Sequence, residues 1–255
     1  MTNLRAPAAT SARRQRMYGH RARIGYTAPP VTAETFPYEF YKVVPDGVTL
    51  AIATLAITVM SKTEIDQSYA RSMMAARTMV DAGVDAIMFG GIPVTLSRGE
   101  QNNEAIASSL ETALGVRVST SAAAQERAAR ALGCKKIVIA HAYDSSQHAR
   151  QAGYVSKFGC EVLGITGWGT VLPKFGCVPR DAAYEMARDL LKQYPEADSV
   201  FFPSMQWPTI EAIEPLEKEF GVTVVSASQA AIWDGLRICG IPDKIEGYGR
   251  LLREF

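Results

Sequence analysis

The stretch MFGGIP at positions 88–93 ends a short apolar run in a pair of glycines, and FFPSMQ at positions 201–206 ends a second apolar run in a proline and a serine. Both runs are continuously apolar rather than alternating. This pattern predicts strands of a parallel sheet, which helices cover on both faces. The two stretches occupy equivalent places in two similar halves of the chain, so they predict equivalent strand ends in a duplicated fold.

Working outward from these stretches, apolar runs alternate with amphipathic helical stretches along the whole chain. The predicted strands are Arg23–Ala28, Thr49–Ile57, Ala86–Phe89 and Arg117–Ser119 in the first half, and Lys136–Ala140, Glu161–Ile165, Ser199–Pro203 and Thr223–Ser226 in the second. This order predicts an α/β fold with two similar halves, each a mainly parallel four-stranded sheet flanked by helices. An active-site cleft is expected between them, where the carboxyl ends of the strands meet. One continuous doubly wound sheet is the alternative.

The element pattern also predicts domain boundaries. A flexible N-terminal arm, rich in arginine, is expected over 1–22, the first α/β half over 23–119 plus 230–255, and the second half over 120–229. The arm has no apolar core of the kind found in secretory signals.

Composition excludes several classes of function. The chain has 255 residues and a formal net charge of +1, which gives no electrostatic argument for a nucleic-acid or membrane partner. No apolar run approaches the roughly 20 residues that span a bilayer. The four cysteines show no CxxC spacing, which fits reduced thiols and a cytoplasmic location. Three histidines without HExxH predict no metal site, and the absence of GxGxxG and GxxxxGK[ST] predicts no cofactor.

Several short phrases carry a family resemblance. They are IGYTAPP at 24–30, SRG at 97–99, IAHAY at 139–143, LGITG at 163–167, VVSAS at 224–228 and GYGRL at 247–251. In this order the chain resembles the aspartate/glutamate racemase superfamily, in its branch of arylmalonate decarboxylases and maleate cis-trans isomerases. The resemblance implies the two-half fold and a small carboxylic acid as substrate.

The same resemblance implies that the usual catalytic thiols are missing. Family members place two cysteines, one per half, on opposite sides of the substrate, and the decarboxylases keep only the second. The resemblance matches these positions to Gly91 and Ser204. A thiol can be tuned to act as an acid or base near neutral pH, whereas a serine hydroxyl needs another base to activate it. We therefore expect chemistry without the two-thiol mechanism.

Candidate site residues follow from the strand ends and from the resemblance. Tyr143 is expected to donate a hydrogen bond to a carboxylate or enediolate, and Ser204 lies in a loop whose N–H groups can bind an anion. His141 and Glu34 are candidate bases, and each of the four also has an ordinary packing or surface role as its alternative. The predicted substrate-binding residues are Pro29, Pro30, Thr32, Gly90, Gly91, Ile92, Trp168, Met205 and Gln206.

Three functions fit these residues. The leading hypothesis is a cofactor-independent enzyme of the lyase or isomerase type, such as a decarboxylase, that acts next to the carboxylate of a small organic acid through an enediolate-like intermediate. A hydrolase or hydratase would instead activate water with Glu34 or His141. A small-acid-binding protein that has lost catalysis is the third. A homo-oligomer stays open, because the apolar face that carries Met73, Met74 and Met79 suits a dimer as well as a core.

Overall fold

The computed structural model describes residues 14–15, 17–57, 62–91 and 102–255. All eight predicted strands are present, and their lengths differ from the prediction by three residues or fewer. They are β1 Ala22–Pro30, β2 Val48–Ile57, β3 Ala86–Phe89, β4 Arg117–Thr120, β5 Lys136–His141, β6 Glu161–Gly167, β7 Ser199–Phe202 and β8 Thr223–Ser226. The chain divides into two compact units, which are described here one at a time.

Unit 1 comprises the described residues up to Thr32, together with Val44–Ala123 and Asp234–Asp243. Its sheet has the strand order β2-β1-β3-β4, and every pairing is parallel. The central strand β1 is almost completely buried along its length, as the continuous apolar run predicts. One face of the sheet packs through Phe89 and Val118 against helical residues such as Met79 and Leu110.

Unit 2 comprises Ala33–Val43, Ala124–Trp233 and Lys244–Phe255. Its sheet repeats the topology of the first, with the order β6-β5-β7-β8 and parallel pairings throughout. The two central strands, β5 and β7, are buried from their second residue onward. The prediction of two parallel four-stranded sheets flanked by helices is confirmed, and the single continuous sheet is excluded.

The described α-helices connect the strands in the expected order. They are α1 Thr35–Val43, α2 Lys62–Asp81, α3 Asn103–Leu114, α4 Ser121–Leu132, α5 His148–Ser156, α6 Ala182–Gln193, α7 Ile210–Phe220, α8 Ala227–Ile238 and α9 Arg250–Glu254. Short 3₁₀ helices cover Ser145–Gln147 and Leu172–Cys177. In the part of the chain that the structure describes, no helix is long and apolar enough to cross a membrane.

The grouping of residues differs from the predicted boundaries most in two segments, and by four residues each at 120–123, which join unit 1, and at 230–233, which join unit 2. Ala33–Val43 and Lys244–Phe255 belong to unit 2, whereas the sequence assigned both to the first half. Side-chain contacts explain the first difference, because the Glu39 carboxylate accepts hydrogen bonds from the N–H groups of Thr209 and Ile210. The second segment is fixed by Glu217, whose carboxylate accepts from the N–H of Arg250 at 2.8 Å.

The predicted N-terminal arm lies mostly outside the described residues. Its described part does contact unit 1. The Arg14 guanidinium forms a bidentate ion pair with Asp85 at 2.6 Å, and Arg21 pairs with Asp243. These contacts connect the described part of the arm to unit 1, and its predicted flexibility stays a prediction.

Candidate functional site

In unit 1, the carboxyl end of β1 lies beside the turn that follows β3. The N–H of Gly90 donates to the Thr27 carbonyl at 3.0 Å, and a side chain at Gly90 would collide with that carbonyl and the Tyr26 ring. Gly91 has φ of 80°, in the left-handed region that favours glycine. The conformation of this turn therefore requires both glycines, with or without a bound ligand.

The other predicted residues of unit 1 occupy the same strand end. Pro29 and Pro30 are buried at the end of β1, whereas Thr32 is exposed. Ile92 lies outside the described residues. Sequence reasoning missed Thr27, whose hydroxyl is fully buried and has no hydrogen-bond partner among the described residues. Its position as a polar residue within the apolar phrase IGYTAPP could have indicated it from the sequence.

In unit 2, His141 and Tyr143 lie together at the end of β5. His141 is completely buried; no side chain among the described residues hydrogen-bonds to its ring, and the backbone of Tyr143 is the hydrogen-bonding group beside it. Its ring centroid lies 6.1 Å from that of Tyr143. Tyr143 packs edge-on against Phe175, with 4.6 Å between the ring centroids. A buried imidazole that no side chain hydrogen-bonds is costly unless function, water or a ligand accounts for it.

His148, which the sequence analysis did not select, completes this cluster. The imidazole rings of His141 and His148 are 5.0 Å apart and nearly perpendicular, and the Nε2 atom of His148 is also buried without a partner in the described chain. Gly167 allows the two rings to approach, because a Cβ there would lie 2.9 Å from the His141 ring and 3.2 Å from His148 Nε2. The spacing of His148, seven residues after His141, gave no signal of this contact.

The loop from Trp168 onward is fixed to the same strand end by backbone hydrogen bonds. Trp168 donates its N–H to the His141 carbonyl at 2.9 Å, and Gly169 donates to the Tyr143 carbonyl at 3.1 Å. The Trp168 side chain remains 46% exposed, so it is free to contact a ligand. The structure thus brings three predicted residues together: His141, Tyr143 and Trp168.

Ser204 begins the loop after β7. It is 9% exposed, and its hydroxyl oxygen accepts the N–H of Gln206 at 3.3 Å. Met205 and Gln206 are also buried, and Trp207 beneath them is completely buried with its ring edge-on to Phe202. With the oxygen used as an acceptor inside the loop, the Ser204 hydroxyl proton remains available to donate.

Glu34 lies elsewhere in unit 2, at the start of α1. Its side chain is exposed and packs against Gly176, beside Tyr38 and Glu39. Its predicted role as a base stays a prediction, as does the position of the expected cleft.

Burial sets the protonation states of the His141–Tyr143 pair. It lowers the pKa of His141 from 6.5 to about 4, and the neighbouring His148 lowers it further. Burial also raises the pKa of Tyr143. At neutral pH the imidazole is therefore neutral and the phenol is protonated, which provides one base and one hydrogen-bond donor. No cluster of three metal-binding side chains occurs within the described ranges.

This pKa predicts a dependence of stability on pH. Because the folded protein binds a proton at His141 less readily than the unfolded chain, stability is fully present above pH 6.5 and is lost as pH falls towards 4. Between pH 7 and pH 5, wild type is expected to lose up to about 2 kcal/mol more stability than His141→Asn. Urea unfolding at both pH values measures this difference. Equal losses in the two proteins would show that His141 keeps an ordinary pKa.

The two parallel α/β units, together with the match to a family model, place the chain in an enzyme class, the aspartate/glutamate racemase superfamily. Within it, the chain belongs to the arylmalonate decarboxylase family, whose family model matches residues 24–252. It is 29% identical to the arylmalonate decarboxylase of Bordetella bronchiseptica over 185 residues, which cover 70% of this chain and 75% of that enzyme. The family resemblance predicted from the sequence is confirmed.

Maleate isomerases are also similar to this chain. The maleate isomerase of Nocardia farcinica is 25% identical over 186 residues, covering 69% of this chain and 72% of the relative. A solved structure of a cysteine-to-serine mutant of the maleate cis-trans isomerase from the same organism, with a covalently bound succinylcysteine intermediate, aligns with a TM-score of 0.78 and 23% identity. That alignment covers 92% of this chain and 99% of the other. The family therefore supports a decarboxylase- or isomerase-type enzyme.

Proposed function

We propose that the protein is a lyase or isomerase that acts next to the carboxylate of a small organic acid, through an enediolate-like intermediate and without a two-thiol mechanism. The observation that carries this proposal is the completely buried His141 imidazole, to which no side chain among the described residues hydrogen-bonds, beside Tyr143. It supplies a titratable group in unit 2, where the resemblance predicts that Ser204 replaces a thiol.

Tyr143 stabilises the developing negative charge in this proposal. Its phenol stays protonated at neutral pH because burial raises its pKa. A hydrogen bond from a protonated donor becomes stronger as charge moves from carbon onto the enediolate oxygens. The side chain therefore stabilises the intermediate more than the substrate, which is the requirement for catalysis.

His141 transfers the proton at carbon. Burial holds the imidazole neutral, but a bound carboxylate would raise its pKa again, because a nearby anion favours the charged ring. In a decarboxylation, the bond between the departing carboxylate and its neighbouring carbon breaks, carbon dioxide leaves, and the bonding electron pair stays in the enediolate. The imidazole, which takes up a solvent proton when its pKa is raised, donates that proton to carbon. In an isomerisation, the neutral imidazole removes a proton from the carbon next to the carboxylate, and the imidazolium returns it to a different carbon of the delocalised intermediate.

Ser204 binds the substrate rather than attacking it. Its oxygen already accepts the Gln206 N–H, and among the described residues no base hydrogen-bonds to its hydroxyl. A hydroxyl without a base is a poor nucleophile but a competent donor to a carboxylate.

Addition of water is a second candidate function, and the lowered pKa of His141 favours it. A neutral imidazole can remove a proton from water, as a hydratase or hydrolase requires. This mechanism does not need a donor at an enediolate, so it predicts that Tyr143→Phe keeps most of the activity. The enediolate mechanism predicts that the same variant loses about 10-fold or more.

Turnover in heavy water tests the proposal. The purified protein is incubated in D₂O with a panel of malonates, arylmalonates and maleate, and the products are analysed by NMR and mass spectrometry. We expect one substrate to yield product with a solvent deuteron on the carbon next to the carboxylate, and Tyr143→Phe to slow its formation. A product that carries a new hydroxyl group from water, or no turnover across the panel, would contradict the enediolate mechanism.

A further inference from the structure

Unit 2 contains a cavity of about 330 Å³ beside α1, distinct in its residues from the His141–Tyr143 pair. We call it the α1 cavity. The start of α7 and the 3₁₀ helix Leu172–Cys177 complete its walls. The side chains on which its chemistry depends are Glu34, Tyr38, Glu39, Arg180 and Glu211. Its volume suits a small organic molecule.

Glu39 forms the buried part of the α1 cavity. The residue is 2% exposed, and its Oε1 atom accepts the N–H groups of Thr209 at 2.7 Å and Ile210 at 2.9 Å. This carboxylate occupies the positive end of α7, so the helix N-terminus is not open to an anion. The Oε2 atom is also buried, and the Ser228 side chain hydrogen-bonds to the same carboxylate.

At the rim of the α1 cavity, the positively charged side chains pair with one carboxylate and leave the other carboxyl groups without a cation. Both cations near it, Arg180 and Lys42, pair with the single carboxylate of Glu211. The Glu34 carbonyl accepts the Tyr38 N–H at 3.1 Å, whereas its carboxyl group lies against Gly176 with no ion pair to a described residue. Two carboxyl groups, Glu34 and Glu39, therefore line the cavity without a cation of their own.

Tyr38 and the aliphatic residues supply an apolar wall. The Tyr38 side chain is 62% exposed, and its ring already accepts a cation, with Lys42 Nζ at 5.5 Å from the centroid. Pro208 and Ile210 line the same cavity. Aromatic rings beside carboxylates are typical surroundings of ammonium groups.

We propose that the α1 cavity binds a small organic amine in its ammonium form, with the ammonium directed at Glu34 and Glu39 and an apolar chain against Tyr38. This inference goes beyond the proposed function, whose substrate is an anion, and does not rest on it. Burial raises the pKa of Glu39, and a bound ammonium would lower it again.

Three isosteric probes test the proposal: benzylammonium, benzyl alcohol and benzoate. Saturation-transfer NMR and chemical-shift mapping on the intact protein are expected to give a Kd on the order of 1 mM for benzylammonium. The largest shifts are expected at the amides of Tyr38, Gly176 and Thr209. Benzyl alcohol is expected to bind at least 5-fold more weakly, and benzoate is expected to leave these three amides unshifted.

Two variants separate the role of Glu34 from a general effect of charge. Glu34→Gln is expected to weaken benzylammonium binding about 10-fold, whereas Glu196→Gln, which removes an exposed acid elsewhere in unit 2, is expected to leave the Kd unchanged. Both changes are at exposed positions, so both variants should fold. Equal affinity for the amine and the alcohol, an unchanged Kd in Glu34→Gln, or no shift at these amides would overturn the proposal. Failure of the catalytic proposal would alter none of these readings.

Discussion

His141→Gln is expected to lower kcat by roughly 10²–10⁴-fold, with KM changed by no more than a few-fold. The variant keeps a polar side chain that can hydrogen-bond but removes the group that gains and loses a proton near neutral pH. Loss of a proton-transfer group acts on the transition state rather than on substrate binding, so the effect should fall on kcat. Steady-state kinetics on the substrate identified in D₂O measures it.

A second histidine provides the matched control. His20 lies in unit 1 near Gly47, with Nδ1 3.3 Å from the Met17 carbonyl, and takes no part in the proposed site. His20→Gln should keep kcat within about 2-fold of wild type. Circular dichroism of both variants guards against loss of folding. If His141→Gln retained kcat within 3-fold, the imidazole would not be the proton-transfer group, and the proposed mechanism would fail.

The predicted rate loss would also show that an imidazole can take the role of the missing thiol. The resemblance places Ser204 where relatives have a cysteine, and the structure uses the Ser204 oxygen to accept a hydrogen bond within its own loop. The adjacent strand β5 ends in an alternative titratable group, His141, whose ring meets that of His148 of α5 beside Gly167. A neutral, buried imidazole can replace a thiolate as a base. To act as an acid it must first be protonated, which requires a bound anionic substrate to raise its pKa.

The strands were predictable from the sequence because burial on both faces leaves a continuous apolar run. Ala86–Phe89 and Thr223–Ser226 were predicted with their observed bounds. Helix ends were predictable where a glycine takes a left-handed conformation, as at Gly115 (φ 70°) and Gly221 (φ 68°). Local backbone preference and burial pattern act together at these positions, so sequence alone carries the information.

Helix α1, Thr35–Val43, was not predicted. Its sequence, TFPYEFYKV, combines a proline with aromatic residues of weak helix propensity. The proline is tolerated because it lies in the first turn, and the helix buries Phe36, Glu39 and Phe40 against unit 2. Tertiary packing therefore stabilises this helix. A glutamate, Glu39, on the same face as the apolar residues was the sequence feature that could have indicated it.

The sequence predicted the site residues that directly follow a strand, but not the contacts between residues of different elements. Tyr143 and Ser204 follow strand ends, which the pattern locates. The contact of His141 with His148 depends on a 3₁₀ turn, because the segment after Asp144 folds as the 3₁₀ helix Ser145–Gln147 followed by α5 from His148. The side-chain oxygen of Asp144 accepts the Ser146 N–H at 2.8 Å and so fixes this turn, which sets the direction of the His148 ring.

Trp207→Ala is expected to lower the free energy of unfolding by about 3–5 kcal/mol, because it removes the largest completely buried side chain. Trp207 lies directly after the Ser204–Gln206 loop and packs edge-on against Phe202 of β7, with 5.5 Å between the ring centroids. The alanine would leave a cavity, and both β7 and the loop would lose the packing contacts that the indole ring makes. Urea unfolding followed by far-UV circular dichroism measures the change.

Trp207→Phe separates packing from hydrogen bonding. The indole N–H of Trp207 is buried without a partner among the described residues, so replacing it with phenylalanine removes an unsatisfied donor while keeping an aromatic ring. We expect Trp207→Phe to cost roughly 1 kcal/mol, far less than the alanine variant. If both variants lost the same stability, the N–H would have a structural partner, such as a buried water, and the contribution assigned to ring packing would be wrong. A loss of less than 1 kcal/mol in Trp207→Ala would mean that the Ser204 loop is held by its backbone alone.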